Sequence, residues 1–370
     1  MDFSLFGESI FSEPLEQDMG GAIANKYIVP PFSILNTQDK RWQTRKRWWV
    51  KIGIKSELGR SSSLTYQIGD MSEFQKAEAI KKAKKKAAKN TPGRGSLSDK
   101  TVWKDYNSKK YNEGFDEKSK KALGCYSVFG DTAVDRNTGG ITGTSIFDPV
   151  LTELMYKWFC PKKGQILDPF CGGSVRGVVA ALLGYNYWGC DLRKEQITAN
   201  QENADLIFKT HTPKSINLEW VAGDSKKQLF SAPESDFIFT CPPYGDLEIY
   251  SDDKRDISNM PYKDFLDTYS NIISKSLRKL KENRFACVVV GDFRDKKGFY
   301  NGFIADNIKI FEKCGVKLYN EFILKNAIGS LPVRIQLQFD SYKKCGKNHQ
   351  NVLLFFKGDP KTIKKMEFEL

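Results

Sequence analysis

The sequence predicts an α/β protein built on a mostly parallel, twisted sheet with helices on both of its faces. From Thr144 onward, short apolar runs of strand length alternate with longer runs of helix length. This alternation is typical of parallel strands that are connected through helices. Before Thr144 the alternation is missing, so we expect an N-terminal region over 1–143 and an α/β domain over 144–370.

The composition limits the class of protein. A chain of 370 residues, 40% of them apolar, can form one large domain or two ordinary ones with a sizeable core. Its eight cysteines include no Cys-x-x-Cys pair, and two histidines argue against a His-based metal site or a Ser-His-Asp triad. No apolar run has the length of a membrane span, and no signal peptide is evident. We therefore expect a cytoplasmic protein, in a bacterial or phage-infected cell, with no membrane partner and no metal.

Positive charge is concentrated in one stretch of the chain. The net charge is +13, and the stretch from Lys40 to Lys110 has 20 Lys and Arg against 6 Asp and Glu. The rest of the chain is close to neutral. Such a concentration indicates a polyanionic partner, which we expect to be a nucleic acid. The alternative is a solvated helix face or a solubilising tail.

Basic side chains alternate with tryptophans between Arg41 and Trp49, a pattern that suits phosphate contact together with stacking on a base. Alternatively, Trp42, Trp48 and Trp49 pack this segment onto the main domain, and for Trp49 we favour that packing. A second basic segment, Ser72 to Asn90, is predicted to be a helix capped by Ser72. The predicted nucleic-acid contacts of this region are Arg41, Arg45, Lys46, Arg47, Lys81, Lys84 and Lys85.

Seven strands are predicted in the α/β domain from their apolar runs. They are Gln165–Leu167, Asn186–Cys190, Leu218–Val221, Asp236–Thr240, Phe285–Val290, Lys317–Leu324 and Asn351–Phe356. The predicted helices are one that begins at Ser145 or Asp148 and runs through Trp158, then Ser174–Leu183, Lys194–Phe208 and Pro261–Leu280.

The first of these strands leads into a glycine-containing turn, Asp168–Ser174. Glycines let the backbone approach a ligand closely, and the start of the next helix offers free N–H groups to a carboxylate. The next two strands also end in acids, Asp191 and Asp224. Asp191 could accept hydrogen bonds from both hydroxyls of a ribose, and Asp224 could meet an adenine amino group. Alternatively, each acid caps the helix that follows.

Other nucleotide-binding patterns are missing. The sequence has no Gly-x-x-x-x-Gly-Lys-Ser/Thr pattern, which argues against triphosphate binding, and the turn lacks the Gly-x-Gly-x-x-Gly of dinucleotide sites. The turn is followed, after two further strands, by Thr240-Cys241-Pro242-Pro243-Tyr244-Gly245 at the end of a buried apolar run.

Together, Asp168–Gly173 and Cys241–Tyr244 resemble two motifs of the S-adenosylmethionine (SAM)-dependent DNA methyltransferases that modify exocyclic amino groups, N4 of cytosine or N6 of adenine. The resemblance covers about 144–360, and Val29–Arg60 is more weakly similar to N-terminal parts of phage-borne DNA methylases. It implies a Rossmann-like SAM-dependent methyltransferase fold, SAM as cofactor, and double-stranded DNA with a flipped base as partner, as in restriction–modification systems. The SAM site it implies consists of Phe147, Asp168, Pro169, Phe170, Cys171, Gly172, Gly173, Asp191, Leu192, Asp224 and Ser225.

The second motif holds the target base in that family, and we expect Cys241, Pro242, Pro243 and Tyr244 to be catalytic. The two prolines have a fixed φ and no N–H, so neighbouring carbonyls can accept from the base amino group. Tyr244 can stack on the extruded base. The family usually has Asp, Asn or Ser where this chain has Cys241. Cys is closest in size to Ser, which is typical of the N4-cytosine enzymes, so N4 of cytosine is favoured and N6 of adenine stays open.

Several alternatives remain. Cys241 could be a nucleophile for C5 chemistry on a pyrimidine, which requires a cation or base beside the thiol, or it could be a packed residue. The chain could methylate RNA or tRNA, or be an inactive nucleic-acid-binding module or a structural protein. Beyond the strand Phe285–Val290, Asp292 or Arg294 could contact the base or a phosphate, unless Arg294 pairs with Asp295.

Overall fold

A computed structural model of the chain describes residues 21–54, 147–214, 217–244, 251, 253–295, 297–328 and 331–369. These residues fall into two compact units. The first contains 21–54, 147–327 and 345–369, and the described part of the second lies within 328–344. The predicted helix from Ser72 to Asn90, with Lys81, Lys84 and Lys85, lies outside the described residues.

The first unit contains an eight-stranded sheet in the order β1-β7-β8-β6-β5-β2-β3-β4. Among the described strands, β8 alone runs antiparallel to its neighbours, β6 and β7. The strands are β1 (Ile34–Asn36), β2 (Gln165–Asp168), β3 (Asn186–Asp191), β4 (Leu218–Ala222), β5 (Ser235–Thr240), β6 (Leu280–Val290), β7 (Lys317–Lys325) and β8 (His349–Lys357).

Helices cover both faces of this sheet. The helices are α1 (Gly21–Tyr27), α2 (Lys40–Lys51), α3 (Pro149–Phe159), α4 (Val175–Leu183), α5 (Lys194–Phe208), α6 (Ser225–Gln228), α7 (Tyr262–Lys279), α8 (Phe303–Lys313) and α9 (Leu331–Tyr342), with 3₁₀ helices at Ile257–Asn259 and Pro360–Lys365. Helices α2, α3, α4 and α5 contribute to the core on one face, and α7 and α8 to the core on the other. Helix α9 belongs to the second unit.

The alternation of side chains along the central strands explains the two cores. In β6, Phe285, Cys287 and Val289 lie in the first core, whereas Ala286, Val288 and Val290 lie in the second. All six residues of β5 are buried, as expected of a parallel strand with helices on both faces. The predicted Rossmann-like fold, a mostly parallel sheet between two helical layers, is confirmed.

The strand order creates a crevice at the middle of the sheet. From β2 the chain moves outward through β3 and β4, and then returns to β5 on the other side of β2. In open α/β sheets ligands bind outside the carboxyl ends of the strands at such a reversal. The crevice between the ends of β2 and β5 is therefore the expected position of a functional site.

Residues 21–54 belong to the same unit as the sheet. Strand β1 pairs in parallel with β7, from Ile34 opposite Ile323 to Asn36 opposite Lys325. On α2, Trp42 and Trp49 are buried at 1% and 0% exposure, and their indole N–H groups donate to Asp148 and Glu153. The structure therefore places this segment with the α/β domain and not in a separate region that ends at 143, because its tryptophans complete the core.

A buried ion pair fastens α2 to α3. The Arg45 guanidinium donates through two nitrogens to both carboxylate oxygens of Glu153, which is fully buried. Burial alone would raise the pKa of Glu153, but Arg45, Lys157 and the Trp49 indole N–H together outweigh burial and the pKa is lowered. Arg45 therefore holds α2 against α3. Lys46 does the same, since its ammonium lies 3.1 Å from the carboxylate of Asp148.

Replacing Arg45 with Ala should lower the free energy of unfolding by about 3–5 kcal/mol at neutral pH, because Glu153 would stay buried without its main partner. Chemical denaturation measures this, with Arg47→Ala as control because Arg47 is exposed. The lowered pKa of Glu153 means that the contribution is complete above about pH 4.3, the ordinary glutamate value, and is lost as the pH falls through the folded-state pKa. Equal losses in both variants would contradict this.

Candidate functional site

Two turns meet at the carboxyl edge of the sheet. Strand β2 ends at Asp168 and its parallel neighbour β5 ends at Thr240, with Leu167 paired to Ile238 just before. The Thr240 hydroxyl donates to Asp168 Oδ1 over 2.7 Å. The turns that follow, 169–174 and 241–244, therefore open on one edge. This brings together the two sets of residues that the sequence predicted for cofactor and base.

Asp168 lies behind the first turn, where it is fully buried. Its Oδ2 accepts from Arg176 Nε at 2.5 Å and from the Tyr187 hydroxyl at 2.7 Å. Its Oδ1 accepts from Thr240 and, at 3.3 Å, from the Phe170 N–H. Protein donors thus occupy both oxygens, and through these bonds Asp168 holds the turn in place.

Arg176, on α4, was not among the predicted residues. It is buried, and its Nη2 donates to the carbonyls of Phe170 at 2.7 Å and Cys171 at 2.9 Å. Burial opposes its charge, but the Asp168 carboxylate, together with Tyr187 and Cys241, outweighs burial and raises the pKa of the guanidinium. Its Cζ lies 4.3 Å from the ring centroid of Phe147. A permanent cation therefore fixes the carbonyls of the first turn.

The glycine part of the turn exposes backbone. Gly172 has φ +50°, in the left-handed region, and a Cβ there would meet no atom within 4 Å. Its carbonyl accepts from Asn200 Nδ2 at 2.7 Å. Cys171 is buried, which raises the pKa of its thiol well above the ordinary value. Gly172 thus offers the space in which a ligand can approach the main chain.

Asp191 ends β3 beside this turn. Its Oδ1 accepts from the Arg193 N–H at 2.9 Å, and its side chain keeps 18% exposure. Burial raises its pKa, while the Arg193 N–H and guanidinium and the Gly172 N–H oppose the shift. Leu192 follows and is half-buried. Gly189 permits the close fit of β3 against the turn, since a Cβ would lie 2.8 Å from Cys171 Cβ.

The end of β4 is tied to the same place. Ser225 Oγ donates to the Pro169 carbonyl at 2.6 Å, and the Gly223 N–H donates to the Asp191 carbonyl at 2.8 Å. Asp224 caps α6, because its Oδ1 accepts from the Lys226 N–H at 2.9 Å. The alternative capping role is thus realised for Asp224. The ends of β2, β3 and β4 form one hydrogen-bonded group.

The second turn carries the predicted catalytic residues. Pro242 is buried, whereas Cys241, Pro243 and Tyr244 are half-buried. Cys241 Sγ lies 3.5 Å from the Tyr244 hydroxyl oxygen. Gln350 Nε2 donates to that same oxygen at 2.6 Å. Gln350 was not predicted; it reaches the site because β8 runs antiparallel to β6 and so begins at this edge.

Beyond β6, Asp292 caps α8. Its Oδ1 accepts from the backbone N–H groups of Gly302 at 3.1 Å and Phe303 at 3.3 Å. Arg294 Nη1 donates to the Gly298 carbonyl at 2.8 Å, and its guanidinium lies 3.9 Å from the ring centroid of Tyr300. Asp295 accepts from the Phe299 N–H instead of pairing with Arg294.

The basic residues of α2 are placed differently from one another. Arg45 and Lys46 are engaged with Glu153 and Asp148, as described above. Arg41 Nη1 donates to Asn25 Oδ1 at 2.9 Å, and Arg47 is exposed and donates to Thr44 Oγ1. The structure therefore leaves Arg41 and Arg47 at the surface, while Arg45 and Lys46 hold α2 in place.

The described residues were compared with the requirements of a metal site and of a membrane span. Within the described ranges, His, Cys, Asp and Glu side chains form no group that could hold a metal ion. None of the helices in the part of the chain that the structure describes is both long and apolar enough to span a membrane.

The sequence matches no protein-family model, and it matches no curated protein. Solved structures with similar chains include TrmN from Thermus thermophilus, with TM-score 0.37 and 14% identity over 57% of this chain and 49% of that one. A TehB-like SAM-dependent methyltransferase from Corynebacterium glutamicum has a TM-score of 0.35 and 18% identity, over 58% of this chain and 90% of that one. Magnesium protoporphyrin IX methyltransferase from Synechocystis PCC 6803, with bound SAM, has a TM-score of 0.38 and 13% identity, over 72% of this chain and 100% of that one.

The chain thus spans about half the length of TrmN. All three TM-scores are below 0.5. The fold assignment therefore rests on the strand order and the two helical layers described above.

Thr240→Val should lower the free energy of unfolding by about 1–3 kcal/mol, because the variant removes a donor from a buried carboxylate without changing side-chain volume. Thermal or chemical denaturation measures the change. Thr268→Val is the matched control, since the Thr268 hydroxyl donates only weakly, to the Met260 sulfur at 3.6 Å. If both variants lose the same amount, Thr240 does not join the two turns energetically.

Proposed function

We propose that the chain is a SAM-dependent DNA methyltransferase that methylates the exocyclic amino group of a flipped base, with N4 of cytosine favoured. The observation that carries this proposal is the Thr240–Asp168 hydrogen bond between the ends of β2 and β5. It holds the glycine turn that resembles a SAM site beside the Cys-Pro-Pro-Tyr turn that resembles a base site.

The residues at the strand ends suit SAM. The open side of Gly172 allows close approach to the backbone of the first turn, and the start of α4 offers N–H groups to the methionine carboxylate. Asp191 is the residue that would accept from the ribose hydroxyls. Asp168 and Arg176 act indirectly, by fixing the turn. When bound, SAM supplies an electrophilic methyl group on its sulfonium.

The second turn suits a base amino group. The reaction forms a bond from the amino nitrogen to the methyl carbon as the carbon–sulfur bond breaks, and the nitrogen then loses a proton. Pro242 and Pro243 offer no N–H that could compete for the nitrogen lone pair, so carbonyl acceptors can orient the amino group. Tyr244 can stack on the flipped base, and the Gln350 amide holds its hydroxyl in place. Positioning of this kind can supply most of the acceleration.

The geometry bears on the covalent alternative through Cys241. Arg176 is close enough to interact electrostatically with Cys241, which would favour a thiolate. However, Arg176 is already paired with Asp168 at 2.5 Å. We therefore propose that Cys241 occupies the place of the Ser of related enzymes and does not bond to the base.

Mass spectrometry of nucleosides from double-stranded DNA treated with protein and SAM tests the proposal. N4-methylcytosine is the expected product. N6-methyladenine would instead show that the target atom is N6 of adenine. Methylation of tRNA but not DNA would support the RNA alternative, and SAM binding without transfer would support the inactive module. Tyr244→Ala serves as the negative control.

Cys241→Ser should retain methyl transfer to DNA, because Ser accepts hydrogen bonds in the same place and only the covalent route needs the thiol. Initial rates with tritiated SAM measure this, with Cys345→Ser, an exposed cysteine, as the control. Loss of transfer in Cys241→Ser alone, together with 5-methylcytosine as the product of the wild type, would establish the covalent route.

Asp191 should make SAM affinity depend on pH. Its pKa lies above the ordinary aspartate value of about 3.9, and only the ionised carboxylate can accept from both ribose hydroxyls. Affinity measured by calorimetry should therefore fall as the pH drops through that raised pKa. Asp191→Asn should bind weakly at every pH and lose this dependence, whereas Asp205→Asn, on α5 and exposed, should behave as wild type. A pH dependence that survives Asp191→Asn would exclude the assignment.

A further inference from the structure

The described residues of the loop between β6 and α8, 291–295 and 297–302, are held in a defined conformation. Phe293 is buried at 4% exposure, and its carbonyl accepts from the Asn301 N–H at 2.9 Å. The Asp295 N–H donates to the Phe299 carbonyl at 2.8 Å, and Arg294 and Tyr300 form an antiparallel bridge. The Asp292 cap on α8 anchors its far end. Hydrogen bonds therefore hold the backbone that carries Arg294, Phe299 and Tyr300.

This loop exposes two large aromatic side chains. Phe299 is 72% exposed and Tyr300 is 47% exposed. The Arg294 guanidinium stacks over Tyr300 at 3.9 Å, and Lys347 Nζ lies 6.0 Å from the same ring centroid. Burial lowers the pKa of Lys347, while the Asp292 carboxylate opposes that shift. The patch of these four residues, Arg294, Phe299, Tyr300 and Lys347, combines exposed rings with cations.

The patch belongs to the same edge of the sheet as the candidate base site. The loop leaves the carboxyl end of β6, which is the parallel neighbour of β5. At Gly291, the first residue of the loop, a Cβ would lie 3.9 Å from the Tyr244 ring. Lys347 comes from the segment before β8, two residues from His349 at the start of that strand. The loop that carries the aromatic patch therefore begins beside Tyr244 of the Cys-Pro-Pro-Tyr turn.

We propose that this patch is a second DNA contact, which stacks an unpaired base that flanks the flipped nucleotide and places Arg294 and Lys347 on the adjoining phosphates. The inference rests on the proposed function, because base flipping leaves unpaired neighbours close to the target. Exposed aromatic rings beside cations are the features that bind single strands without sequence preference. The flipped base enters the Tyr244 turn, and the flanking strand is held on Phe299 and Tyr300.

Anisotropy of a labelled single-stranded DNA oligonucleotide, titrated with the full chain, tests the patch. Phe299→Ala and Tyr300→Ala should each weaken binding by roughly five- to over a hundredfold, which corresponds to the loss of one base–aromatic stack. Arg294→Ala and Lys347→Ala should each lower the slope of log affinity against log salt by about 0.7. Phe230→Ala is the matched control: Phe230 is 92% exposed but lies at the other edge, where its carbonyl accepts from Lys279.

Calorimetry with SAM separates this proposal from the proposed function. Unchanged SAM binding in Phe299→Ala and Tyr300→Ala, together with weaker DNA binding, supports the patch, whether or not the wild type transfers a methyl group. Variants that bind the oligonucleotide like the wild type overturn the patch even if methyl transfer is found. A wild type that does not bind the oligonucleotide overturns it as well, and equal losses with Phe230→Ala would do the same.

Discussion

The arrangement of the candidate site depends on one buried carboxylate. Asp168 is removed from water, which is costly for a charge unless donors replace the solvent. The donors come from three elements: Arg176 of α4, Tyr187 of β3 and Thr240 of β5. Each donor fixes its own element relative to the end of β2, so a single group sets the distance between the two turns. A mechanism that requires two reactants to meet at bonding range needs such a fixed distance.

The reversal of strand direction at β8 has a comparable role. Had β8 been parallel to β6, residues 349–351 would lie at the opposite edge, far from Tyr244. Because it is antiparallel, Gln350 contacts a residue 106 positions earlier in the chain. Lys347 reaches the ring of Tyr300 for the same reason. The carboxyl ends of the parallel strands line this crevice. The antiparallel strand β8 adds a polar side chain to it, that of Gln350.

Continuous apolar runs made the sheet predictable. The predicted strand Asp236–Thr240 lacks only the first residue of β5. It was predictable because a parallel strand that is buried on both faces appears in the sequence as a mostly apolar run, here followed by a proline turn. The α2 segment could not be decided from the sequence, since Trp42, Arg45 and Trp49 recur at helical spacing and the same pattern suits either phosphate contact or a buried helix face.

The structural role of Asp168 could not be predicted, because Tyr187 and Thr240, two of its donors, lie 19 and 72 residues away and only the fold brings them to it. The sequence signal for Arg176 was weak: it is one charge within an apolar helical run. Strand β1, with three residues, is too short to give a periodic pattern.

The packing of residues 21–54 has a consequence for the whole chain. Its last described residues are fastened, since the Gly53 carbonyl accepts from Asn203 and Ile54 is buried, and the chain re-enters the same unit at Phe147 beside Arg176. The described residues on either side of 55–146 are therefore both held in the first unit. Proteolytic cleavage between 54 and 147 would yield two fragments that remain associated through the hydrogen bonds between β1 and β7 and through the buried Trp42 and Trp49. Noncovalent complementation, and not peptide continuity, would then keep the edge of the sheet intact.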